Sequence, residues 1–331
     1  MAAADPDTEV QAEFPPLVRQ YKSGRVERFF NPAPLPAGTD AATGVVSKDV
    51  DVDPATGLWA RLFLPPGSHG KKQQLPVVVY YHGGAYVIGS AADPWTHTYL
   101  NALVAKAGVL VVALEYRLAP EHPLPTAYED SWEGLKWVAT HAAAAAGGGG
   151  PVEPWLTEHG DFSRVFLAGA SAGGTIAHLV AVRAGEQQGH GDLLGMRVRG
   201  LLIVHPYFSG AADIGDEGTT GKQRKAQADA FWRFLYPGSP GLDDPLSNPF
   251  SEAAGGSAAR VAADRVLVCV AEKDDLRDRG VWYYESLRAS GYPGEVELLE
   301  SKGEGHVFYC MNPRCDRARE MEERILSFLR M

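Results

Sequence analysis

Cysteine is scarce: Cys269, Cys310 and Cys315 are the only three in 331 residues. An odd number without paired C-x-x-C spacing excludes a disulfide framework and a zinc cluster of the finger type, and it fits a reducing compartment. Long apolar runs are lacking too. No stretch approaches the roughly 20 residues a helix needs to cross a bilayer, and the opening MAAADPDTEV is acidic with no basic region followed by an apolar run, so no secretory leader is expected. Positive charge is in deficit, 31 Lys and Arg against 41 Asp and Glu for a net −10. Such a surface repels nucleic acid and anionic membranes. The expectation is a cytosolic protein with neither as a partner.

What the chain does contain is ordinary for a protein that folds by itself, with 45% hydrophobic and 22% charged residues. Its length suits one large α/β domain over 1–331. Short apolar runs rich in β-branched residues, Leu75 to Tyr81, Val109 to Leu114, Arg164 to Gly169, Gly200 to Val204 and Arg265 to Ala271, alternate with helix-like stretches. That alternation predicts a mainly parallel sheet with helices on both faces. Val45 to Val52 and Leu58 to Leu64, separated by the turn-like Asp53-Pro54-Ala55-Thr56-Gly57, read as an antiparallel hairpin at the sheet edge, which makes the sheet mixed. Crossover helices are predicted at Thr96 to Ala107, Ala127 to His141, Ala172 to Glu186, Arg277 to Ser290 and Arg317 to Arg330. The alanines and glycines from His141 to Gly150 read as a helix end running into a surface loop. Residues 1–40 and about 206–256, rich in aromatics, prolines and glycines, fit no strand pattern and are assigned as cap elements.

The strand ending at Gly169 runs into Gly169-Ala170-Ser171-Ala172-Gly173, then Gly174 and a helical pattern. This is G-x-S-x-G in its informative context, because a nucleophile on a strained strand-to-helix turn tolerates only small neighbours. A serine hydroxyl needs a base, and the base needs an orienting group. His306, in Gly303-Glu304-Gly305-His306-Val307-Phe308 after the expected strand Glu295 to Leu299, is the candidate base. Asp274 follows the run Val266 to Ala271 and so falls at a strand's carboxyl end, where open α/β sheets place their sites. Asp275 is the alternative acid, one residue away. His82-Gly83-Gly84-Ala85-Tyr86 follows a strand directly, and the N–H groups of Gly83, Gly84 and Ala85, with that of Ala172, are candidates for an oxyanion hole. His82 itself takes a structural hydrogen-bonding role. Of the aromatics Tyr86, Tyr207, Phe208, Phe231, Trp232 and Phe308, Tyr86 and Phe308 have the better claim to line a substrate pocket. Glu115 and Arg117 read as a structural ion pair, and Cys310 has no catalytic role.

Beyond HGGAY and GASAGG, the chain carries YKSGRVERFF, EYRLAPEHPLPTAYEDSWEGLKWV from Glu115 to Val138, LDDPLSNPF from Leu242 to Phe250, AEKDDLRDRG from Ala271 to Gly280, and GEGHVF. With these it resembles the plant carboxylesterase branch of the hormone-sensitive-lipase-like family of α/β-hydrolases over nearly its whole length. The resemblance implies an α/β-hydrolase fold, with a mixed and mostly parallel sheet and a cap from the N-terminal segment and a middle insertion. It implies an esterase of small, short-chain carboxylic esters that needs no cofactor or metal, with the acid at Asp274. Three positions depart from the usual pattern: Ala85 for a third glycine, Ala170 for Asp and Thr175 for Asn. The family also contains dehydratases and hormone receptors. The receptors have lost the base that His306 supplies here, and the dehydratases can carry threonine where this chain has Ser171.

Overall fold

The computed structural model describes residues 5–68, 73–150, 152–188, 192–193, 195–215, 217 and 222–330. Its strands are built from the apolar runs. β6 (Leu75–Tyr81), β7 (Leu110–Glu115) and β11 (Arg265–Ala271) are almost wholly buried, as strands covered on both faces must be. The main sheet has the order β12-β11-β10-β8-β6-β7-β5-β4, with β12 at Glu295–Ser301, β10 at Met196–Val204, β8 at Gly160–Ala170, β5 at Leu58–Leu64 and β4 at Val46–Asp53. From β12 to β7 every pairing is parallel. β5 then pairs antiparallel with β7, and β4 with β5, so the expected edge hairpin is present. A two-residue strand, β9 (Asp192–Leu193), pairs antiparallel with β10.

The period of two sorts side chains between two cores. Val77, Val79 and Tyr81 of β6 enter one, and Val78 and Tyr80 the other. The first core is closed by α2 (Thr126–Ala145), α4 (Ala172–Gln188) and α6 (Arg277–Ala289). The second is closed by α1 (Pro94–Ala107) and α8 (Asp316–Arg330). In α8 the buried residues Ala318, Met321, Ile325, Phe328 and Leu329 recur at three and four, the stripe that seats a helix on a sheet. α1 starts at Asp93, whose carboxylate accepts the Thr96 N–H at 2.8 Å, with Pro94 in its first turn, and ends at the left-handed Gly108. α2 ends at Ala145, just before the glycines, as the sequence suggested.

Of the two segments expected to form a cap, residues 1–4, 216 and 218–221 lie outside the described residues. The remainder holds more regular structure than the sequence revealed. β1 (Val10–Phe14), β2 (Val18–Tyr21) and β3 (Val26–Arg28) form a three-stranded antiparallel sheet, and α5 (Lys222–Leu235) lies in the middle insertion. The two meet: the Phe14 ring packs 5.0 Å from that of Phe231 and 4.9 Å from that of Phe234. α5 is also tied to the main domain, where Leu124 N–H donates to Leu235 O at 2.8 Å. α3 (Pro154–His159) and α7 (Phe308–Met311) complete the set named here.

Candidate active site

Five parallel strands, β6, β8, β10, β11 and β12, bring the site together at their carboxyl ends. Ser171 occupies the single residue between β8 and α4 with φ at +54°, and its N–H is held by Val204 O of the neighbouring β10 at 2.8 Å. The flanking glycines are sterically required. A Cβ on Gly169 would lie 2.1 Å from Gly173 O, and one on Gly173 would lie 2.0 Å from Tyr81 O. The turn therefore packs directly on the end of β6, which explains why this sequence admits only small residues there.

His306 follows β12 and reaches back over the strand ends. Its Nε2 lies 3.1 Å from Ser171 Oγ, and its Nδ1 lies 2.7 Å from Asp274 Oδ2. Asp274 is buried. Its other carboxylate oxygen accepts Leu276 N–H at 2.9 Å. Asp275 faces outward, so of the two acids Asp274 meets the histidine. The loops carrying acid and histidine are joined by Lys273 N–H donating to Glu304 O at 2.8 Å. Asp274 accepts from Nδ1–H, which leaves the Nε2 lone pair facing the serine hydroxyl, the arrangement a general base requires.

One histidine in this cluster was not anticipated. His205, at the end of β10 in the Val204-His205-Pro206-Tyr207 stretch, is 1% exposed. Its Nδ1 accepts Val307 N–H at 3.0 Å and lies 3.8 Å from Asp274 Oδ2. Burial pushes its pKa down to about 4, against the opposing pull of Asp274. It is therefore neutral, and it fixes the backbone immediately after His306. His205, Asp274 and His306 place one ligand atom each within 4.8 Å of one another, a spacing open to a metal ion. The lone pairs of His205 Nδ1 and Asp274 Oδ2 are already engaged, however, by Val307 N–H and by His306 Nδ1–H.

The HGGAY loop lies beside the nucleophile. A Cβ on Gly83 would come 3.4 Å from Ser171 Cβ, and one on Gly84 would collide with Ile88 O at 2.0 Å. Gly84 O closes a tight turn by accepting from Val87 and Ile88 N–H. Among the described residues, no acceptor takes the N–H groups of Gly83, Gly84, Ala85 or Ala172. His82 plays the expected structural part: it stacks on Tyr116 at 4.1 Å, and its Nδ1–H donates to Gly83 O at 2.7 Å.

Other expectations need correction. Tyr86 and Phe308 do not form open pocket walls. Tyr86 is fully buried, and its hydroxyl donates to Tyr128, which in turn donates to Leu246 O. Phe308 is 3% exposed and stacks against His205 in the second core. Adjacency in sequence to loop and base did not determine where these side chains point. A cleft of about 820 Å³ opens on the Asp274 side, with Tyr207, Phe208, Leu242 and Arg279 among its lining residues; Ser171 and His306 are not among them. Nor do Glu115 and Arg117 pair with each other. Arg117 makes a bidentate pair with Asp130 of α2, whereas Glu115 accepts from Ser90 Oγ and Ala91 N–H, its pKa raised by burial. Thr175 donates its hydroxyl proton to Tyr207 O.

The family described as alpha/beta hydrolase fold matches residues 78–310. Over 325 residues the chain is 42% identical to 2-hydroxyisoflavanone dehydratase of Glycyrrhiza echinata, covering 97% of this chain and 96% of the relative. Tuliposide A-converting enzyme 1, chloroplastic, of Tulipa gesneriana is 43% identical over 324 residues, 98% of this chain and 79% of the relative. Probable carboxylesterase 2 of Arabidopsis thaliana is 40% identical over 325 residues, 97% and 96%. A solved esterase from Pyrobaculum calidifontis superposes with a TM-score of 0.64 at 26% identity, over 86% of this chain and 84% of that one. The chain belongs to the α/β-hydrolase fold family, on the plant carboxylesterase branch of its hormone-sensitive-lipase-like group.

Proposed function

We propose that the protein hydrolyses small carboxylic esters through an acyl-enzyme, with Ser171 as nucleophile, His306 as base and Asp274 as the group that orients it. The observation that carries this is the unbroken chain Ser171 Oγ, His306 Nε2, His306 Nδ1, Asp274 Oδ2, with contacts of 3.1 and 2.7 Å. As Ser171 Oγ attacks the ester carbonyl, its proton passes to Nε2, and Asp274 stabilises the imidazolium that forms. The carbonyl oxygen becomes an oxyanion beside the free N–H groups of Gly83, Gly84, Ala85 and Ala172, at the positive end of the α4 dipole. His306 then gives the proton to the departing alkoxide. In the second half it takes a proton from water, which attacks the acyl carbon; the carbon–oxygen bond to Ser171 breaks, His306 returns the proton to Ser171 Oγ, and the acid departs.

The 42% identity to a dehydratase supports a second reading, in which His306 removes a proton from a carbon of a hydroxylated substrate, the electron pair forms a C=C bond as the neighbouring C–O bond breaks, the hydroxide leaves as water with the proton His306 returns, and no acyl bond forms to Ser171. One experiment separates the two: hydrolysis of p-nitrophenyl acetate and butyrate, with fluorophosphonate labelling, by the parent and by Ser171→Ala. Loss of both turnover and label in the variant supports the hydrolase. A folded parent that does neither, or a variant that keeps its turnover, overturns it.

A further inference from the structure

The YKSGRVERFF motif has no part in the triad, yet its Arg28 reaches the loop that carries the free N–H groups. The Arg28 side chain leaves the end of β3. Its Nε donates to Val87 O at 2.6 Å, and its Nη2 to Ala119 O at 3.3 Å. The same guanidinium grips both carboxylate oxygens of Glu121, at 2.8 and 2.7 Å, the bidentate geometry that fixes an arginine in orientation as well as place.

The HGGAY loop needs such a constraint. Ala85 and Tyr86 follow one another with φ at +52° and +63°, a conformation that non-glycine residues hold only where the surroundings over-determine it. Its carbonyls are taken one by one. Gly84 O closes the turn, Tyr86 O accepts Ala119 N–H at 2.9 Å, and Val87 O accepts from Arg28. Of these three holds, the one on Val87 alone comes from the N-terminal sheet. Val87 is fully buried, so without Arg28 its carbonyl would lose its partner away from water.

We propose that Arg28 is a positioning residue that holds the HGGAY loop in its oxyanion-binding shape, so that the N-terminal segment sustains the rate of reaction as well as covering the domain. The kinetic part rests on the ester-hydrolase reading; the effect on loop geometry does not. Because acylation and deacylation both pass through an oxyanion, loosening the loop lowers kcat whichever step limits.

The test compares Arg28→Ala, Arg28→Lys and Glu121→Gln with the parent, in kcat and KM on p-nitrophenyl acetate and in amide hydrogen exchange across residues 83–89. Expected for Arg28→Ala is a fall in kcat of roughly 10- to 100-fold, a fraction of the loss when oxyanion donors are removed outright, with KM little changed and faster exchange in the loop. Non-denaturing guanidinium should restore part of the rate in Arg28→Ala alone. Glu121→Gln, which weakens the attachment but leaves the Val87 hydrogen bond, should stay close to the parent. If Arg28 serves only to attach the N-terminal sheet, Glu121→Gln and Arg28→Ala will be impaired alike and without guanidinium rescue, and the proposal falls. It falls too if loop exchange is unchanged in Arg28→Ala, or in Arg28→Lys should the alanine variant not fold. A parent that hydrolyses no ester while Arg28→Ala still loosens the loop would sink the hydrolase reading and leave the positioning role standing.

Discussion

Acidification from pH 7 to pH 5 tests two imidazoles that the fold keeps neutral. His205 and His178 are 1% and 0% exposed, and burial lowers their pKa values from 6.5 to about 4 and about 3. In this window the unfolded chain takes up a proton at each site near pH 6.5, and the folded protein does not. Stability is therefore fully present above pH 6.5 and is lost as the pH falls toward the folded-state values. With about 1.4 kcal/mol per pH unit for each unmatched proton, each histidine contributes a loss of about 2 kcal/mol by pH 5. Together they remove on the order of 4 kcal/mol, a large share of a typical domain's net stability. His97, also displaced downward by burial, acts in the same direction. The carboxylates whose pKa values are lowered, such as Asp40 and Asp243, act only at lower pH. Urea unfolding at intervals between pH 5 and 7 measures the slope. His178→Asn keeps a polar group in reach of Tyr283 Oη, which lies 2.9 Å from His178 Nδ1, and should remove close to one proton from that slope. An unchanged slope in this variant would refute the assignment of a neutral buried imidazole at 178.

Asp274→Asn should lower kcat by roughly 10⁴-fold, the cost seen when a serine-protease triad aspartate is changed in this way. The amide N–H₂ would face His306 Nδ1 and put the proton on Nε2; steady-state kinetics and circular dichroism together check that the loss is chemical. Gly173→Ala should give insoluble or inactive protein, because its Cβ would meet Tyr81 O at 2.0 Å, and backbone must move to relieve that contact; expression and thermal melting decide it. His205→Phe leaves Val307 N–H without an acceptor and should cost roughly 1–3 kcal/mol. His205→Asn should recover much of that, since its amide oxygen replaces Nδ1 and asparagine tolerates positive φ; paired denaturation curves read the difference.

Where the sequence was legible, one physical rule acted on a contiguous stretch. Buried parallel strands are near-continuous apolar runs, so Leu75–Tyr81 and Arg265–Ala271, apolar from Val266 on, announced themselves. A nucleophile turn excludes side chains on both flanks, so GASAG did the same. Asp274 is preferred to Asp275 from its distance past the strand and from the resemblance, a choice that a one-residue error in the strand end would reverse. In the structure the choice is made by the turn after β11, where Asp274 N–H donates to Ala271 O and one carboxylate is tucked inward. β1 to β3 were missed because they are only 5, 4 and 3 residues long and carry no continuous apolar run, and Phe14 finds its apolar partners more than 200 residues later on α5. His205 has its partner 102 residues away in a backbone N–H, which no side-chain pattern encodes. The supposed Glu115–Arg117 pair failed for a related reason. Proximity in sequence is a poor guide once the strand has ended and the chain turns toward α2.

Backbone strain marks the site independently of any motif. Among the described residues, the non-glycine positions with left-handed φ are Ala85, Tyr86, Ser171, His205 and Val307, and all five lie in the HGGAY loop, the serine turn, the end of β10 or the histidine loop. At roughly 1–2 kcal/mol each, their combined strain rivals the net stability of a typical domain. No single loop can sustain that alone. Each is instead held from outside its own segment: Ser171 N–H by Val204 O, His205 N–H by Cys269 O at 2.8 Å, Val307 N–H by His205 Nδ1, and the Ala85–Tyr86 pair by Ala119 and Arg28 through Tyr86 O and Val87 O. The holds on Ser171 and His205 pass from β8 to β10 to β11, following the order of neighbours in the sheet, and the hold on Val307 runs from the end of β10 past β11 to the loop after β12. The precision with which serine, histidine and acid meet is thus a property of the parallel sheet acting as one body, and the HGGAY loop, on the far side of β8, is the part whose hold depends on the N-terminal segment.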